Sequence, residues 1–112
     1  MDAGDLRKVF IKTRRTGDLE RRPTIVLWPD NENASKRWIL GGSKSHFGSP
    51  LLFEIDPASP GSLAPSLEYK TFFELQHMQS VELSRIRDLI VRIPTATYIS
   101  IVRKLSKAME SI

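Results

Sequence analysis

The stretch "SVELSRIRDLIVRIPTATYISIVRKL", Ser80 to Leu105, decides the fold class, because whatever it forms must cover the rest of the chain. Ile86, Leu89, Ile90 and Ile93 fall at i, i+3, i+4 and i+7, the spacing that lines one face of a helix. Ser80 stands where an N-cap belongs, and Pro94 lacks the N–H that a continuing helix needs. Thr95 can cap a second helix in which Tyr98, Ile101, Val102, Leu105, Met109 and Ile112 form one stripe. Ser100, Arg103, Lys104 and Lys107 occupy its other side. The pattern predicts two amphipathic helices joined at a Pro-Thr corner.

Upstream, the signals are those of strands. Lys8–Thr13 and Thr24–Trp28 combine β-branched and aromatic residues, and Thr16-Gly17-Asp18 between them suits a hairpin turn. Ser35–Leu40 and Pro50–Ile55 read as third and fourth strands after the turn formers of "PDNEN" and the break at "GGSKS". Asp56 to Ser66, with three prolines and a glycine, is a loop. Leu67–Met78 fits either period, and a strand is assigned at Leu67–Thr71. The expectation is a single α+β domain over residues 1–112: an N-terminal antiparallel meander of about four or five strands packed on two C-terminal amphipathic helices, with a loop at 56–66.

Ile86 to Leu105 also resembles the helix–Pro–helix passage of Rho-family GTPase-activating domains. That family is all-helical and works through an arginine finger in a Gly-rich motif. The N-terminal half here reads as sheet and has no such motif, so the resemblance implies no activity for this chain.

Composition narrows the function classes. The absence of cysteine removes disulfides, zinc-thiolate sites and cysteine nucleophiles, and fits a reducing, intracellular compartment. The longest apolar run is the four residues Ile25–Trp28, against the roughly 20 needed to span a bilayer. "MDAGDLRK" has no apolar core of a signal peptide, so no membrane partner is expected. Net charge is +4 but unevenly spread: Arg7 to Arg22 holds seven Lys or Arg against Asp18 and Glu20. Such a basic end favours anionic partners.

Arg14, Arg15, Arg21 and Arg22, with Lys8 and Lys12, can form a basic finger able to contact phosphates, and Arg103, Lys104 and Lys107 form a second basic face. The same charges also serve to solvate a hairpin tip and protect an edge strand. "GGSKS" lacks the Gly-Lys-Ser/Thr order of a phosphate loop and reads as an ordinary loop. His46 and His77 have no spacing to a partner that would build a metal site with Glu54, Asp56 or Glu74, and no Gly-x-Ser-x-Gly elbow is present. No catalytic residue, metal or cofactor is therefore assigned. The expected function is a small non-catalytic binding module acting through a protein partner. The alternative is an RNA- or DNA-binding module centred on the basic 8–22 hairpin, and a hydrolase or transferase using the histidines and carboxylates is the remote one.

Overall fold

The computed structural model of the chain describes residues 3–12, 17–29, 35–45 and 51–110. Seven strands are present among them: β1 (Asp5–Lys12), β2 (Leu19–Pro29), β3 (Lys36–Ser43), β4 (Leu52–Ile55), β5 (Thr71–Glu74), β6 (Gln79–Glu82) and β7 (Ile86–Arg92). One helix, α1 (Thr95–Glu110), follows. All pairings are antiparallel, and the order is β4-β5-β3-β2-β1-β7, with β6 paired to β3 beside β5. β3 thus carries two partners in tandem on one edge: β6 along Lys36–Ile39 and β5 at Gly42–Ser43. A curled sheet with one helix replaces the expected meander with two.

The correction falls on the stretch from Ser80 onward. Ser80 is no cap; it lies in β6 opposite Trp38. Ile86–Arg92 is a strand on the free edge of β1, and its register shifts twice, so that Val91, Leu89 and Ile86 meet Leu6, Arg7 and Val9. Those shifts break strict alternation, and apolar side chains then recur at three- and four-residue intervals on an extended backbone. Helical spacing in seven residues rich in β-branched side chains is matched equally well by a bulged strand with an open edge to pair on. The resemblance to a helix–Pro–helix passage ends with it. Pro94 does mark the boundary, since its carbonyl accepts the N–H of Tyr98 in the first turn of α1. The strand expected at Leu67–Thr71 begins only at Thr71.

Side chains of alternate parity supply two cores. Leu6, Ile25, Leu27, Leu40, Ile55, Phe73 and Leu75 pack with Ile93, Ile101 and Leu105 on the face that α1 covers. Val9, Ile11, Val26, Ile39, Val81 and Ile86 form a smaller cluster. Tyr98 fastens α1 to the sheet by donating its hydroxyl to Leu27 O at 2.7 Å. Burial raises the pKa of that phenol. Gly4 takes φ +90°, and a Cβ there would stand 3.2 Å from Tyr98 Cδ1.

Gly41 and Gly42, expected in a loop, lie inside β3. A Cβ on Gly42 would run into Thr71 Cγ2 and stand 2.6 Å from Pro23 O, so only glycine lets β3 sit this close to both neighbours. Gly42→Ala is expected to lower stability by about 1–3 kcal/mol, the cost of overpacking, because backbone must move. Urea unfolding checks this, and an unchanged midpoint would refute the close approach.

Candidate active site

β2 places the decisive side chains. Its register with β1 sets Lys8 opposite Pro23, Phe10 opposite Arg21, Val9 opposite Arg22 and Ile11 opposite Glu20. Strand alternation therefore sends Arg21 and Arg22 to opposite faces. Arg21 lies 5.7 Å from the Phe10 ring centre and donates to Asp88 Oδ2 at 3.3 Å, while Arg87 approaches the same ring. Arg22 turns the other way: its Nε and Nη2 both donate to Glu20 Oε2, at 3.3 and 3.1 Å. Thr24, fully buried, fixes the backbone beneath by donating its hydroxyl to Arg22 O at 3.0 Å.

The β2–β3 pairing runs to Thr24 and Gly41. Next comes Pro23, which has no N–H to continue the ladder. Carrying the register two residues further sets Ser43 level with Arg22, at an end of β3 whose other edge is held by Phe72. Lys44 follows, its Nζ 5.0 Å from the centre of the Tyr69 ring. Burial raises the Tyr69 pKa, Arg22 opposes that rise, and Glu68 and Glu20 add to it. The Lys44–Tyr69 contact therefore lies one residue past Ser43, at the end of β3 that the continued register sets level with the Arg22–Glu20 pair. On the side facing Arg21, a concavity of about 480 Å³ is bounded by Lys8, Arg21, Glu68, Tyr69, Asp88 and Leu89.

The nine cations singled out in the sequence are not one surface. Lys8 and Arg21 line the concavity, and Arg22 lies on the other face of the same hairpin. Lys12 stands exposed at the far end of β1, opposite Leu19. Arg14 and Arg15 lie outside the described residues, as does His46. Arg103, Lys104 and Lys107 are exposed on α1, and none lines the concavity. His77 pairs instead with Glu74, Nδ1 to Oε2 at 2.9 Å, and Lys70 with Glu54 at 3.5 Å. Among the described residues, no group of three or more His, Asp or Glu is placed to hold a metal ion. Sequence reasoning missed Glu20, Ser43, Glu68 and Tyr69. The visible signal was Pro23 behind two arginines together with a Gly-Gly-Ser at a strand end, features that become a site only when β2 and β3 pair.

No protein-family model matches the sequence, and no curated protein matches it. Solved structures do. The Mycobacterium tuberculosis toxin MazF-mt6 superimposes with a TM-score of 0.67 at 9% identity, over 95% of this chain and 96% of that one. A chain of the MazE–MazF complex from Deinococcus radiodurans gives 0.68 at 20% identity, over 98% and 96%. The fold is that of the MazF toxins. A mycobacterial endoribonuclease solved with its cognate antitoxin gives 0.64 at 11% identity, over 96% and 92%. This likeness overturns the expectation of a small non-catalytic binding module: the MazF-like fold is one on which toxins and endoribonucleases are built. The lack of metal-ligand spacing and of a serine elbow had argued against an enzyme. No helix among the described residues is long and apolar enough to cross a membrane.

Proposed function

We propose that this chain is an endoribonuclease that cuts RNA at the Arg22 rim and is restrained by a protein antitoxin. The observation that carries the reading is the Arg22–Glu20 pair just past the β2–β3 ladder, at a register level with Ser43, on a fold shared with endoribonucleases. A guanidinium stays charged at any working pH, and its planar fork matches two phosphate oxygens. Glu20 is an acceptor that already lies against it. The 2′-hydroxyl next to the scissile phosphate loses its proton to Glu20 as its oxygen bonds to phosphorus. The bond from phosphorus to the 5′-oxygen breaks, and the departing oxygen takes a proton from water. A cyclic 2′,3′-phosphate and a 5′-hydroxyl result. Arg22 stabilises the charge that builds on the phosphoryl oxygens. Ser43 donates a hydrogen bond to one of them, and Lys8 and Arg21 hold neighbouring phosphates. A protein partner belongs to the proposal because two of these neighbours were solved as toxin–antitoxin assemblies.

The test uses one oligonucleotide sequence in three forms: all RNA, all DNA, and RNA with a single 2′-deoxy sugar at the cut. Only the first should be cleaved, leaving the phosphate on the 3′ end of the upstream product. Cleavage of the singly substituted strand at the same bond would rule out the internal nucleophile.

A further inference from the structure

The concavity beside Tyr69 is more than the nuclease reading requires. It has the size of ordinary small-ligand sites and a mixed lining. Tyr69 offers an aromatic face, Leu67 and Leu89 an apolar floor, Lys8 and Arg21 positive charge on one side, and Glu68 a carboxylate on the other. Among the described residues, neither Lys8 nor Glu68 has a hydrogen-bond or ion-pair partner, whereas Asp88 is engaged by Arg21. Unpaired RNA bases are held in this way: stacked on an aromatic ring, with the Watson–Crick edge read by a polar group and the phosphate met by a cation.

We propose that this concavity holds one unpaired guanine nucleotide of the substrate, stacked on Tyr69 and read by Glu68, next to the phosphate gripped by Arg22. The inference rests on the chain acting on RNA. Its choice of base follows from Glu68. A carboxylate only accepts hydrogen bonds, and its two oxygens match two donors side by side. Guanine presents such a pair, N1–H and the N2 amino group. Adenine and cytosine present one amino group next to a ring acceptor that the carboxylate repels, and uracil one N–H between two carbonyls. The position follows from Tyr69, which lines the concavity and whose ring centre lies 5.0 Å from Nζ of Lys44, one residue past Ser43 at the end of β3 nearest Arg22. A base stacked there leaves its own phosphate or the next one at the rim.

The four nucleoside 5′-monophosphates can be titrated into the 15N-labelled protein while the amide signals of Tyr69, Leu89 and Ile90 are followed. GMP should shift these signals at concentrations at least about tenfold lower than the other three, the discrimination a good two-bond pairing provides. Glu68→Gln, a change at an exposed residue, should remove that preference, and Arg22→Gln should retain it. Four nucleotides acting alike, shifts confined to other residues, or a preference that survives Glu68→Gln would overturn the guanine site. A guanine-specific response in a parent protein that cuts no RNA would remove the nuclease reading and leave the site standing. Cleavage without any guanine response would do the reverse.

Discussion

Replacing Arg22 by glutamine is expected to slow RNA cleavage by roughly 10²–10³-fold, the loss seen when one preorganised donor to a developing oxyanion is removed. The effect on stability should be small. Its side chain is 32% exposed, and its one acceptor, Glu20, is 56% exposed, so the pair is worth about 0–1 kcal/mol to the fold. Lysine at the same position keeps the charge but loses the planar fork, and should recover only part of the rate. Arg21→Gln is the internal control. It sits one residue away on the opposite face, bonded to an exposed Asp88, and should weaken RNA binding while leaving the rate at saturating RNA close to that of the parent. Single-turnover rates and melting curves of the three variants decide the matter. Parental cleavage by Arg22→Gln would remove the site, and a large fall in its melting temperature would make Arg22 structural instead.

The neighbouring arginines also show where sequence reading reached its limit. "RR" before proline announces charge, but only the β1–β2 register tells that one guanidinium goes to Asp88 and the other to Glu20. The hairpin itself was legible, because "TIVLW" offers no helical face and Gly17 takes the positive φ that the turn needs. α1 was legible too, through Tyr98, Ile101 and Leu105 along one stripe. β7 was not, for bulges erase the period-two signal and leave Ile86, Leu89 and Ile90 spaced as on a helix. β5 and β6 are four residues each, too short for any period to show, and are fixed by the edge of β3 rather than by their own composition. Tyr69 and Glu68 were hidden for a different reason. They lie just outside a strand, in a segment whose course is set by the turns after Asp56, and nothing local says that it returns to β2.

That dependence of the site on β3 and β5 leads to the second large effect, which comes from a residue with no chemistry at all. Phe73 is fully buried in β5, opposite Gly42, with its ring centre 6.0 Å from that of Phe53. Gly42 has no side chain to fill the space that the ring occupies, so truncation leaves a cavity that neighbours cannot close cheaply. Phe73→Ala should cost about 3–5 kcal/mol, a large share of the roughly 5–15 kcal/mol that holds a domain folded. Phe53→Ala, at a partly buried position on the neighbouring strand, should cost less. The loss should reach function through position: β5 holds the end of β3 that carries Ser43 and begins two residues after Tyr69. Cleavage by Phe73→Ala should therefore fall at temperatures where the protein is still mostly folded, before the unfolding transition measured by urea or heat. A variant that melts several degrees lower yet cleaves at the parental rate up to its transition would show that β5 stabilises the sheet without aligning the rim. An unchanged urea midpoint would show that the ring fills no essential space, and the close packing of β3 against β5 would have to be redrawn.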